Sequence, residues 1–400
     1  MVLIYLIIFL YCFGKKLRAI PPRTRQFVVL WMLLYLIFMI AYEIYVENKV
    51  GWVYGVPLDD DTGWIFKAAD AMRQGTSWDQ LYLLVNSNDY DLANRALGLG
   101  NLGQYLYATW VCSALYYPTF FDMHVNLYLI YSIQTIMVFI MGIDIANYFS
   151  SMIGRDDTEV YRLFWPIFTA FVFCPIVQFS AYKLLRETWF VFFMVQALHT
   201  LVQYSKVKRK GLFVLSVVCS IECLLLRPQA IIFLIPVFIY FSISSRIGQI
   251  VNLSLLALLS AGSFIIVFAA QLVGWDYHIG AINIEEAIHL LLFPNIINQF
   301  SEMMQIGNNP SWVTILYFFQ SLWNVIYLSI AVIGVLTAKK RKSGYIFWMV
   351  LFLNNLIFYT IPYDSANMTP RYKLLFLIPL IYFIGWGIHF FKCRIRLSRK

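Results

Sequence analysis

The stretch Leu374-Leu-Phe-Leu-Ile-Pro-Leu-Ile-Tyr-Phe-Ile-Gly-Trp-Gly-Ile-His-Phe-Phe391, followed at once by Lys392-Cys-Arg-Ile-Arg-Leu-Ser-Arg-Lys400, decides the fold. Its first part holds no Asp, Glu, Lys or Arg and, as a helix, is long enough to cross a hydrocarbon core of about 30 Å. Its second part is a basic tail. A helix-length apolar run ended by a Lys/Arg cluster is the mark of a membrane span whose basic end stays in the cytoplasm.

The same unit recurs along the whole chain. Of 400 residues, 61% are apolar and 13% are charged, against about 25% charged in soluble domains. The apolar runs fall at 1–14, 26–46, 124–149, 161–180, 186–204, 211–226, 229–245, 249–272, 313–338, 344–363 and 372–391. The fold class expected is therefore an all-α integral membrane protein, a polytopic bundle of about eleven transmembrane helices forming one domain over 1–400. Run 1–14 is short for a span, and its Lys15 and Lys16 follow it rather than precede it, unlike a signal peptide.

The net charge of +9 does not point to nucleic acid. The basic residues gather between runs: Lys15 to Arg25, Arg155 to Arg162, Lys206 to Lys210, Arg246, Lys339 to Lys342 and Lys392 to Lys400. All these clusters share one side if Gln104–Pro118 does not cross, and its tyrosines with Trp110 suit an interfacial depth. Of the 21 acidic residues, only Asp144, Asp156, Asp157 and Glu159 then fall on the cytoplasmic side. Insertion hardly constrains Asp and Glu, so this asymmetry needs another cause, of which an outward-facing site is one candidate. The chain is expected in the plasma (inner) membrane of a bacterium, with its C-terminus cytoplasmic.

Two extracytoplasmic loops are long, 47–121 and 271–312, and long loops in compact proteins are usually functional. The second carries a helical stripe at 284, 287, 288, 291 and 292. Its His278, Glu285, Glu286 and His289 match no strong metal spacing. The six cysteines sit mostly in apolar runs, read as small buried hydrophobes, with no disulfide or zinc pattern.

In the first loop, Asp59, Asp60 and Asp61 adjoin an amphipathic helical stretch, Trp64 to Gly75. Three adjacent carboxylates repel one another, which raises the proton affinity of at least one unless a cation neutralises them. That suits a general base. Their hard oxygens also suit Mg2+ or Mn2+, without requiring either. Outside the basic clusters remain Lys49, Lys67, Arg73, Arg95, Lys183, Arg186, Arg227, Arg371 and Lys373. Arg186, Arg227 and Arg371 mark outer ends of separate runs, where a guanidinium suits a lipid phosphate. Glu222 lies inside a run, a functional position by default, with Arg227 or Arg186 as its expected partner. Glu187 reads the same way. Asp144, near a cytoplasmic helix end, reads as incidental.

The segment Asp60-Asp61-x-x-Trp64-x-x-x-Ala68-x-x-x-Met72-x-x-Gly75 resembles the first outer loop of the GT-C glycosyltransferases. The resemblance extends loosely through Gly103-Gln-Tyr-Leu-Tyr107, Pro175 with Ser180 and Leu185-Arg186-Glu187, Leu226-Arg227-Pro228, and Pro370-Arg371-Tyr372 with Pro379. It implies interfacial helices in the first outer loop and an inverting transfer. The donor would be a polyprenyl-phosphate-linked sugar, and the acceptor a lipid-linked glycan or another surface hydroxyl. Asp60 maps onto the catalytic base, although Asp59 and the Asp at 61 leave the register open by one residue. Arg371, with Lys373, Arg186 or Arg227, would hold the departing phosphate, and Glu187, Glu222 and Tyr372 would support the site. The alternatives are a polysaccharide polymerase relying on the same arginines and a lipid-linked sugar flippase.

Overall fold

The structure is a computed structural model and describes residues 2–50, 107, 110–115, 123–182, 186–227, 230–243, 288, 291–294, 296–305, 312–338, 342–360 and 373–398. Regular structure among them is helical throughout, with no strand. The helices are α1 (Val2–Arg18), α2 (Pro22–Val50), α3 (Met123–Ile153), α4 (Asp157–Val172), α5 (Pro175–Tyr182), α6 (Arg186–Val207), α7 (Lys210–Leu226), α8 (Ile231–Ile243), α9 (Ile296–Gln305), α10 (Trp312–Ala338), α11 (Lys342–Thr360) and α12 (Leu374–Ser398).

Four of these are long and apolar enough to cross a membrane: Thr24–Ala41 in α2, Val125–Ile153 in α3, Ile315–Ala338 in α10 and Phe376–Arg394 in α12. Taken as one span, α4 and α5 make a fifth, bent by 60°. The bend follows from Pro175, whose ring cannot continue the hydrogen-bond ladder and which pushes Cys174 out of helical geometry. Gln178 donates to the Val172 carbonyl there, replacing part of what the break removes. The expected run 161–180 is thus two helices rather than one. Helices α6 and α7 cover 186–204 and 211–226, but polar Gln196, His199, Thr200 and Gln203 interrupt the first and the second is only 17 residues long. The expected run 249–272 lies outside the described residues, as do most of loop 47–121 and the Trp64–Gly75 stretch.

The chain divides into two compact units. The first comprises 1–143, 180–193 and 221–228. Its packing is aromatic: Trp110 and Trp189 rings lie 4.3 Å apart, with Phe9 against Trp189 and Tyr5 against Trp110. The interfacial stretch expected around Gln104–Pro118 contributes helical residues 110–115, of which Val111, Cys112, Ala114 and Leu115 are buried. Helix α2 leaves Phe27, Leu30, Leu34, Ile37 and Phe38 exposed. An exposed apolar face of that extent suits lipid rather than water.

The second unit comprises 144–179, 194–220 and 229–400. Helix α12 packs against α4, α10 and α11. An aromatic cluster of Phe149, Tyr240, Phe347, Trp348 and Tyr382 fills its core, with Tyr240 stacked on Phe347 at 4.0 Å. Small residues set the closest approach, as in other membrane helix pairs. A Cβ at Gly334 of α10 would fall on the Phe383 carbonyl, and one at Gly387 of α12 on the Ile330 carbonyl. Gly385 instead faces Ile153 and Ile167.

Candidate functional site

Among the described residues, each unit holds a buried polar centre built around a cation singled out from the sequence. In the first unit, α6 begins with Arg186-Glu187 and α7 ends at Leu226, just before Arg227. The Arg227 guanidinium donates through Nη2 to Oε1 of Glu187, and both side chains are largely buried. Arg186 donates to the Leu226 carbonyl at 3.4 Å, one of the C-terminal carbonyls a helix leaves without an internal partner. Glu222 is exposed, so the expected Glu222–Arg227 pairing is corrected: Glu187 is the carboxylate that Arg227 takes. The reason is depth. Glu187, at 3% exposure, is shut inside the protein, so its charge has to be answered by a protein cation. Tyr107, from the Gly103–Tyr107 segment, is buried in the same unit and accepts from Gln134 at 2.8 Å.

In the second unit the centre is Lys373, immediately before α12 and 4% exposed. Its ammonium donates to the Leu291 carbonyl at 2.8 Å and to Oδ1 of Asn324 at 3.2 Å. Asn324 in turn donates to the carbonyls of Leu292 and Phe293 at 3.2 and 3.1 Å. One turn earlier on α10, Gln320 donates to the same Asn324 oxygen at 3.0 Å and accepts from the Ile176 amide at 3.0 Å and the Cys174 thiol at 3.7 Å. Two amides four residues apart on α10 therefore pin three breaks in helical structure: the α4–α5 bend, the helix end at residues 292–293 and the start of α12.

These bonds leave Lys373 electrostatically incomplete. An ammonium has three donors, of which carbonyl and amide oxygens take two, and among the described residues no carboxylate pairs with it. It also stands at the positive end of the α12 dipole, which favours an anion there and not a second cation. Gln320 and Asn324 were not singled out from the sequence, although amides at i and i+4 within an apolar run are a readable signal of a polar contact inside the membrane.

Two further clusters occupy the second unit. Asp144, 2% exposed, accepts from Gln196 at 2.9 Å and lies 3.5 Å from Nδ1 of His199. Asp144 thus ties α6 to α3 through structural contacts. Glu159, His389 and Cys393 bring three metal-ligating atoms within 4.8 Å of one another, a grouping that sequence spacing does not reveal.

Asp59, Asp60, Asp61, Arg371 and Tyr372 lie outside the described residues, as do His278, Glu285, Glu286 and His289. The class that fold and composition define is an all-helical, membrane-embedded protein. No protein-family model, curated protein or solved structure matches this chain.

Proposed function

We propose that the chain is a membrane glycosyltransferase of the GT-C type, built on about eleven spans and facing away from the cytoplasm. It moves a sugar from a polyprenyl-phosphate carrier to an acceptor hydroxyl during cell-surface glycan assembly. The observation that carries this reading is Lys373: a buried ammonium with a donor to spare, no carboxylate partner among the described residues and a helix N-terminus behind it. Placing a charge at such depth costs several kcal/mol unless a counter-charge answers it. A phosphate monoester or diester headgroup is a counter-charge that a membrane supplies.

The chemistry is a single displacement. Asp60, or a neighbour in the Asp59–Asp61 triplet, takes the proton of the acceptor hydroxyl. The oxygen attacks the anomeric carbon, the bond from that carbon to the phosphate oxygen breaks, and the configuration inverts. The polyprenyl phosphate leaves with the bonding pair, its negative charge met by Lys373 and Arg371. Stabilising charge where it develops is often the largest single contribution to such a step, and a general base adds about 10²–10⁴-fold. Arg227 is committed to Glu187, which shifts the phosphate-binding role towards Arg371 and Lys373.

The test is transfer by purified protein from a panel of polyprenyl-phosphate sugars. Wild type, Asp60→Asn and Arg371→Ala are compared. Loss of transfer in both variants with normal folding is expected. Near-normal transfer in Asp60→Asn with loss in Arg371→Ala favours the polymerase reading, and substrate translocation without a new glycosidic bond favours the flippase.

A further inference from the structure

Glu159, His389 and Cys393 play no part in the proposed transfer, yet they converge at the basic end of α12. His389 and Cys393 are four residues apart on one helix, so their side chains rise from the same face. Their ligating atoms, Nε2 and Sγ, lie 3.6 Å apart. Two ligands bound to one tetrahedral zinc at the usual Zn–N and Zn–S lengths are separated by about 3.6 Å. The third group comes from α4, which packs against α12.

Glu159 is held in place by the cap of its own helix. Its amide donates to Asp156 at 2.7 Å, and its carboxylate accepts from the Arg155 amide at 3.0 Å. These two bonds hold the residue at the third helical position, in a variant of the capping box, and leave lone pairs for a cation. Two neighbouring positive charges are engaged elsewhere. Lys392 donates to the Arg162 carbonyl, and Arg394 lies over the Phe390 ring at 5.0 Å. His389 is 9% exposed and Cys393 is half-buried, so the cluster is sheltered without being sealed.

We propose that Glu159, His389 and Cys393 form a site for a divalent transition metal of the zinc class. One imidazole, one thiolate and one carboxylate make a borderline donor set that suits Zn2+ and, in its place, Co2+, and that disfavours the all-oxygen preference of Mg2+ and Ca2+. Binding releases the Cys393 thiol proton to solvent, and the fourth position of the tetrahedron takes a water. The metal clips the start of α4 to the far end of α12. The basic clusters assign that end to the cytoplasm, where thiols stay reduced and available as ligands.

The experiment uses the full-length chain without a polyhistidine tag, purified in detergent, with ZnCl2 and CoCl2 as probes. Wild type is expected to retain one zinc per chain after dialysis, to gain thermal stability with added zinc, and to show a sulfur-to-cobalt charge-transfer band with Co2+. His389→Ala and Cys393→Ser are each expected to weaken binding by about two orders of magnitude or more, and Cys393→Ser to abolish the cobalt band. Should either variant fold poorly, the wild-type protein alone gives the answer. Alkylation of Cys393, read by mass spectrometry of its own peptide, is expected to be about tenfold slower with zinc than with a chelator. Equal alkylation rates, or equal zinc retention in folded variants, overturn the site.

Discussion

Lys373 donates its ammonium to Oδ1 of Asn324 at 3.2 Å, joining the residue that precedes α12 to the middle of α10. The same oxygen accepts from Gln320, so a single amide collects two donors while its own NH2 serves the carbonyls of Leu292 and Phe293. Replacing Lys373 by Met removes a charge that no protein carboxylate answers among the described residues. Stability is therefore expected to hold within about 1 kcal/mol of wild type or rise, while sugar transfer is lost. Asn324→Leu strands the ammonium instead and is expected to cost about 2–4 kcal/mol. Thermal unfolding followed by tryptophan fluorescence, alongside the transfer assay, separates the two; a Lys373→Met protein with full activity would sink the phosphate role.

The Arg227–Glu187 pair predicts the opposite behaviour. Arg227→Ala leaves a buried carboxylate without its cation and is expected to cost about 3–5 kcal/mol. The double variant Arg227→Met with Glu187→Leu removes both charges and is expected to recover most of that loss. A double-mutant cycle on thermal stability checks this, and simple additivity of the single changes would show that the pair is not coupled.

The α10–α12 crossing rests on glycines. Gly334→Ala and Gly387→Ala each place a methyl group on a facing carbonyl, and each is expected to destabilise by about 1–3 kcal/mol through overpacking. Gly211→Ala meets nothing within 4 Å and is expected to stabilise by up to about 1 kcal/mol, since alanine loses less chain freedom in a helix. The unfolding midpoints of Gly334→Ala and Gly387→Ala should lie below wild type, and that of Gly211→Ala at or above it.

Gln320 holds the bend between α4 and α5 by accepting from the Ile176 amide. Gln320→Leu leaves that buried N–H unsatisfied, at an expected cost of about 1–3 kcal/mol. Hydrogen exchange at Ile176 should accelerate in the variant, and unchanged protection would remove Gln320 from the support of the bend.

Topology is open to direct labelling. In a cysteine-free background, Asp60→Cys and Arg371→Cys are expected to react with a membrane-impermeant maleimide added from outside. Lys340→Cys and Ser398→Cys should react only after permeabilisation. Reaction of positions 60 and 371 from opposite sides would end the glycosyltransferase reading, because one lipid headgroup could not meet both.

What the sequence determined is what adds up locally. Apolar runs such as 124–149 and 372–391 coincide with α3 and α12 because backbone hydrogen bonding and side-chain hydropathy are satisfied within one helix. The choice of candidates Glu187, Arg227 and Lys373 was legible for a related reason: a charge beside an apolar run is costly wherever the chain folds. Partner choice was not legible. Arg227 takes Glu187, 40 residues away in the chain, rather than nearby Glu222, because burial is a property of the packed bundle. Glu159 meets His389 and Cys393 only because α4 lies along α12. The Pro175 break was visible as a proline, but that Gln320 would heal it was decided by the packing of α10 against the bend. Hydropathy acts residue by residue along the chain, whereas electrostatic and ligating partnerships depend on distances of a few ångströms that only tertiary packing sets.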